Sequence, residues 1–233
     1  MRRTLLPVTL FAVLILTTAG RAAQDKTVKS GGDEAKRVAE ATTVFAEIMA
    51  AEDKAIPRAI LGSAEGIAVF PSTIKVGLGI GAMRGRGILS ARGQGGAWSA
   101  PAFLTLTGGS IGLQIGGQST DLVLVISNRR GLENLVRNQF KVGAGASVAA
   151  GPVGRDAQAS TDIQMRAQIL SYSRARGVFA GVTLNGSTIR QDGDANQRFY
   201  GRPLQTRQIV FESLSHPPEP VAAWQSILQR LAK

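Results

Sequence analysis

From Asp33 onward the apolar residues Val38, Ala41, Phe45, Ile48 and Met49 recur every three or four positions. They predict an amphipathic helix with Asp33 as its N-cap. Ile56, Ile60 and Leu61, with Pro57 in the first turn and Gly62 as the stop, predict a second, short helix. Beyond Gly62 the pattern changes. Short apolar runs punctuated by Gly or Pro predict strands at Gly66–Phe70, Ile74–Met83, Gly87–Ala91, Ala102–Leu106, Ser110–Gly116 and Asp121–Ile126. Two more, Gln168–Ser173 and Gly177–Leu184, flank Arg174-Ala175-Arg176, and Asn185-Gly186 marks a tight turn. Helical spacing returns over Arg129–Phe140, after Asn128, and over Pro220–Leu231, where Val221, Trp224, Ile227, Leu228 and Leu231 share one face.

Of the 28 glycines, 20 lie between Gly62 and Gly154, inside the strand-like region. Glycine within strands marks bends, bulges or close backbone approach, so this density predicts a strongly coiled sheet or small barrel. The expected class is α+β: a mostly antiparallel, glycine-rich sheet with N-terminal, mid-chain and C-terminal helices.

The chain start carries a different signal. Arg2 and Arg3 precede the uncharged run Leu5–Leu16, and small residues follow up to Ala22. A basic head, an apolar stretch of about a dozen residues and small residues at the cleavage positions predict a secretory signal peptide over 1–22. The run is too short for the roughly 20 residues that span a bilayer. Residues 23–32 are polar and predict a flexible linker. The expected location is exported, in the periplasm or cell envelope, and without Cys there is no lipidated N-terminus.

Composition removes most catalytic classes. With no Cys and one His, thiolate metal sites, Cys nucleophiles and multi-histidine sites are excluded. His216 sits in Ser215-His216-Pro217-Pro218, a stiff linker, where a histidine is more often solvent-exposed than catalytic. Gly77–Ala82 matches a dinucleotide fingerprint only in spelling, because the Met83–Gly87 stretch cannot open a helix. Asp192-Gly193-Asp194 begins like a calcium loop, but Gln197 and Pro203 stand where Gly and Glu belong. A turn capping a short helix through Phe199-Tyr200 explains those residues. No catalytic residue, metal or cofactor is expected.

What remains is charge: 27 Lys+Arg against 16 Asp+Glu, a net +11, or +8 once residues 1–22 with their three Arg are removed. Such an excess favours anionic partners. Nucleic acid is not expected, because aromatics are only 5% and none lies among Arg84–Arg92, leaving nothing for bases to stack on. The bases form three sequence clusters: Arg84, Arg86 and Arg92 in glycine-rich turns; Arg129, Arg130, Arg137 and Lys141; and Arg174, Arg176 and Arg190. On a helix at about 100° per residue, the middle four fall within roughly 120°. Leu132, Leu135, Val136 and Phe140 form an adjoining apolar arc. Two readings of that helix stand. Its arginines meet phosphates while the arc enters the acyl boundary, or the arc packs on the sheet and the arginines are a solvated rim.

Several strings carry a family likeness. They are Gly66–Pro71, Gly95–Phe103 (with Trp98), Gly108–Gly116, Thr120–Val123, Gly143–Arg155, Tyr172–Gly177 and Phe199–Gly201. Together they resemble the SYLF-domain family over about 33–201, leaving 202–233 as a C-terminal extension with its terminal helix. That resemblance implies a compact, mostly β lipid-binding domain without enzymatic activity. Eukaryotic members bind phosphoinositides, and yeast members bind and bundle actin through their N-terminal part. Here the signal peptide, the few bases near the start of the mature chain and the lack of an SH3 or FYVE partner domain argue against actin and phosphoinositides as ligands.

The expectation is therefore a non-enzymatic protein binding anionic phospholipid or a membrane surface in the bacterial envelope. The expected lipid-binding residues are Arg129, Arg130, Arg137, Lys141, Leu132, Leu135 and Phe140, aided by Arg84, Arg86 and Arg92. Surface attachment and a slot for one acyl chain both remain open. The alternative is a structural or adaptor protein that binds a protein partner or an acidic polymer.

Overall fold

The computed structural model describes residues 19–51, 55–143, 147–153, 166–175, 178–182, 184–212, 214 and 218–232. Most of the expected signal peptide, along with Arg176 and His216, lies outside the described residues. The elements are α1 (Ala19–Ala50), α2 (Arg58–Gly62), β1 (Gly66–Ala91), β2 (Ala102–Ile126), α3 (Arg129–Leu135), β3 (Gln139–Lys141), β4 (Val148–Ala150) and β5 (Ile169–Ala175). They are followed by β6 (Val178–Gly181), β7 (Thr188–Gln191), α4 (Gly193–Tyr200), α5 (Thr206–Phe211) and α6 (Pro220–Leu231). The class is α+β. Among the described residues one seven-stranded sheet has the path β3-β7-β2-β5-β4, with β1 on β2 and β6 on β5, and only the β4–β5 pair is parallel.

Three differences from the sequence reading matter. Helix α1 takes in residues 24–32, so Asp33 is interior rather than a cap; no Pro interrupts the segment, and Gly31-Gly32 cost a helix only about 1 kcal/mol each. The six short strands expected over 66–126 are two long ones. β1 and β2 pair antiparallel from Gly66↔Ile126 to Leu89↔Ala102. Pro71, which cannot donate to a ladder, is absorbed by a bulge between Phe70 and Thr73. Ser72 there has φ +48°, and its N–H donates to Asp121 Oδ1 at 2.9 Å.

The third difference is the helix expected over Arg129–Phe140. Asn128 does cap it, accepting from Gly131 N at 2.9 Å, but α3 ends at Leu135 with Val136 as C-cap. Phe140 then turns inward from strand β3 between exposed Gln139 and Lys141. The helical spacing of Leu132, Leu135, Val136 and Phe140 is thus a strand position aligned by chance with a helical face.

The ribbon of β1 and β2 doubles back on itself. A Cβ on Gly85 would meet the Thr73 side chain, and one on Gly87 would overlap the Val69 carbonyl and the Phe70 ring. Only glycine permits that approach. Near the other end of β1, Gly66 lies against the Ser90 carbonyl. Apolar side chains fill both sides of the curled sheet. On one side α1 and α6 bring Phe45, Ile48, Trp224 and Leu228 onto Ile67, Val69, Ile88, Phe103 and Val123. On the other, α3 and α5 bring Leu132, Leu135, Ile209 and Val210 onto Phe70, Leu104, Leu106, Leu124 and Ile189. The tail from Arg202 therefore packs into the same two cores as the rest. Trp224 also donates its indole N–H to Ser90 Oγ at 2.8 Å and meets Phe45 edge-on.

Candidate functional site: a cationic sheet face

Four acids, paired with arginines distant in sequence, hold helix α1 and strand β2. Glu34 accepts from Arg198 at 2.8 Å and Asp192 from Arg37 at 3.2 Å, fixing α1 to the α4 region. Arg174 bridges Asp121 (2.8 Å) and Glu47 of α1. Burial opposes the Arg174 charge, but its hydrogen bonds to both carboxylates prevail and its pKa is raised. The Arg198 pKa is raised chiefly by its bond to Glu34. Asp192 caps α4 by accepting from Ala195 N, so the calcium-like spelling is a helix start. Among the described residues no cluster of three or more His or acidic side chains could hold a metal.

Four of the cations outside these ion pairs stand together, and strand register decides where. Four polar–apolar–polar triplets lie side by side: Arg84-Gly85-Arg86 on β1, Thr105-Leu106-Thr107 on β2, Thr188-Ile189-Arg190 on β7 and Gln139-Phe140-Lys141 on β3. The central row, Gly85–Leu106–Ile189–Phe140, is buried. Alternation then turns the two flanking rows outward together. One reads Arg86–Thr105–Arg190–Gln139, the other Arg84–Thr107–Thr188–Lys141. With strands about 4.8 Å apart and i, i+2 residues about 7 Å apart, the patch covers about 14 Å by 7 Å. Arg84, Arg86, Arg190 and Lys141 are all exposed. Among the described residues none of the four is in an ion pair; Arg190 donates only to Gln139 Oε1, at 3.3 Å.

Two like charges about 10 Å apart repel by about 0.4 kcal/mol in water. Clustering four of them is therefore a small cost that a phosphate or carboxylate on this face would more than offset. The threonine hydroxyls and the Gln139 amide between the charges add donors for oxyanions.

The other expected site residues stand apart. Leu132, Leu135 and Phe140 are 0%, 1% and 4% exposed, members of the core, so in this fold they cannot enter a lipid boundary. Of the two readings left open for that segment, the apolar arc packed on the sheet is the one observed. Arg129 pairs with Glu133 at 3.5 Å and stacks over Phe211, 4.1 Å from the ring centroid. Arg130 is exposed on α3, and Arg137 lines a groove with Glu133, Asn138, Gln205 and Arg207. Neither belongs to the two rows. Arg92 is structural: it donates to the carbonyls of Leu61, Ala64 and Ala232 and stacks on Trp98 at 4.7 Å. Burial lowers its pKa, as it does that of Lys75.

Strand register thus brings together a different set of residues from the sequence clusters. Arg84 and Arg86 are mid-strand rather than in turns, Lys141 shares no helix with Arg129, and Arg190 completes the face. The triplets were visible as period-2 alternation. Their pairing was not, because the strands are up to about a hundred positions apart.

Comparison with known proteins places this scaffold. A family described as "Las17-binding protein actin regulator" (Ysc84) matches residues 107–231, which includes the tail from Arg202. SH3 domain-containing YSC84-like protein 1 is 32% identical in Bos taurus and 33% in Homo sapiens, each over 189 residues. Those alignments cover 80% of this chain and 55% of each relative. Protein YSC84 of Saccharomyces cerevisiae is 31% identical over 169 residues, 71% of this chain and 36% of the yeast protein. The chain spans about half the length of the animal relatives it matches, and about a third of the yeast one. With a family match over more than half its length, on a curled and mostly antiparallel sheet, the chain belongs to the Ysc84/SYLF-domain family.

Proposed function

We propose that this protein is a non-enzymatic binder of anionic phospholipid surfaces, exported into a bacterial cell envelope, and that it attaches through the β1–β2–β7–β3 face. The observation that carries this reading is the convergence of Arg84, Arg86, Arg190 and Lys141 on two adjacent rows without an ion-paired acid among the described residues. Near an anionic bilayer each such charge contributes about 1 kcal/mol, falling off within a Debye length. Four distribute about 4 kcal/mol over the patch, enough for reversible and salt-sensitive attachment. Family membership supports a binding role rather than catalysis. The expected signal peptide supports the compartment: its basic head, apolar run and small residues are all present in the sequence.

Vesicle flotation tests this. The protein is expected to float with phosphatidylglycerol-containing vesicles at low salt, to be released as salt rises, and to ignore phosphatidylcholine vesicles. Failure to float with either rejects the reading. An adaptor role on a protein partner or acidic polymer then takes its place, the reading favoured by the protein-binding description of the matched family.

A further inference from the structure

Where α5 passes the end of α3, the two segments form a groove of about 420 Å³ lined by Glu133, Val136, Arg137, Asn138, Gln205 and Arg207. The bonds its polar side chains already make decide what they have left to offer. The Asn138 amide oxygen accepts from Gln191 Nε2. The Gln205 amide oxygen accepts from the backbone N–H of Gln208, as half of a capping box. Both oxygens are thereby engaged, and both NH2 groups are left to donate. Among the described residues neither the Arg137 nor the Arg207 guanidinium is in an ion pair or a hydrogen bond; Arg207 only faces the Phe211 ring, 5.3 Å from its centroid. Glu133, the acid in the lining, is paired with Arg129 at 3.5 Å. Four residues therefore turn a set of donors, two of them cationic, on one space.

We propose that this groove seats a single phosphomonoester group on Arg137, Arg207, Asn138 and Gln205. It rests on the phospholipid reading above and deepens it, naming a headgroup where the sheet face supplies only diffuse attraction. Charge and shape select the occupant. A phosphomonoester carries about two negative charges at pH 7 and three strong acceptor oxygens, which two guanidiniums and two amides match. A carboxylate is planar and singly charged, and one arginine fork satisfies it. A phosphodiester brings one charge and two terminal oxygens. The volume lies within the roughly 300–1,000 Å³ of small-ligand sites. Position ties the groove to the face. Asn138 adjoins Gln139 of one outward row, and its partner Gln191 adjoins Arg190 of the same row. A headgroup held there belongs to the bilayer that the face meets. Soluble phosphate esters carry the same chemistry, so the test has an arm for each source.

The test compares the whole protein with Arg137→Gln combined with Arg207→Gln. Both side chains are exposed, so the fold is expected to survive, as the unfolding midpoint checks. In the first arm, phosphatidylcholine vesicles carry phosphatidic acid, a monoester, or phosphatidylglycerol, a diester, at matched surface potential. The parent is expected to bind the phosphatidic acid vesicles about tenfold more tightly. The double variant is expected to lose that preference and to bind phosphatidylglycerol within about threefold of the parent. In the second arm, calorimetry reads glycerol 3-phosphate binding to both proteins. A phosphatidic acid preference that the variant loses supports the groove with a lipid occupant. Glycerol 3-phosphate binding that the variant loses, without that preference, supports it with a soluble one. Neither signal, with phosphatidylglycerol binding intact, overturns the groove and leaves the sheet face standing. A preference that survives in the variant overturns it as well. If the parent binds neither vesicle, the phospholipid reading fails, and glycerol 3-phosphate alone then decides for or against the groove.

Discussion

If the sheet face is the attachment surface, charge must matter by position and not by total. Replacing Arg84 and Arg190 with Gln removes one cation from each outward row. Both side chains are exposed, and surface changes of this kind alter stability by only about 0.5 kcal/mol. Two charges at about 1 kcal/mol each predict a loss of about 2 kcal/mol, a roughly 30-fold weaker association with anionic vesicles. The matched control is Arg58→Gln with Arg230→Gln, also exposed, on α2 and in the last turn of α6. It lowers net charge by the same two units at sites away from the face, and a loss under threefold is expected. Co-sedimentation at several salt concentrations reads both. The gap between the pairs should close toward 1 M salt, where the Debye length shrinks to about 3 Å. Equal losses in the two pairs, or parental binding by the face variant, would refute the assignment of the face.

Three further expectations concern the scaffold. Gly87→Ala places a methyl into the Val69 carbonyl and Phe70 ring, neither free to retreat, and should cost about 3 kcal/mol as read by the urea midpoint. Ending the chain after Gly201 removes buried Val221, Trp224, Ile227 and Leu228, together about 8 kcal/mol of apolar burial against a domain stability of 5–15. The truncated chain should show no cooperative unfolding transition, and a sharp one would make the tail a separable extension. Burial raises the pKa of Tyr172 and of Tyr200, whose hydroxyl donates to the Pro101 carbonyl at 2.6 Å. The folded phenols stay protonated where the unfolded ones ionise. This contribution is intact below about pH 10 and is lost above it, by up to about 1.4 kcal/mol per pH unit for each group. Tyr200→Phe should flatten that alkaline decline in unfolding midpoints measured from pH 8 to 11.5.

The sequence by itself determined what depends on neighbours a few positions away. The 3.6-residue period of Val221, Trp224, Ile227 and Leu228 made α6 legible, with Pro220 at its start. Glycine density foretold a sheet bent enough to double back, and Asn185-Gly186 its turn, with Gly186 at φ +79°. The excess of base over acid is the sequence's ground for proposing an anionic partner. Tertiary structure alone decided which bases stand together. Phe140 left the helical period because an inward place beside Ile189 was open to a strand, and that moved Lys141 onto the sheet. Glu34, Glu47, Asp121 and Asp192 took Arg198, Arg174 and Arg37 out of play across gaps of 53 to 164 residues. Arg84, Arg86, Arg190 and Lys141 were left together by strand register. Register is a property of pairs of distant segments, settled by the burial of Leu106, Ile189 and Phe140 in a common core.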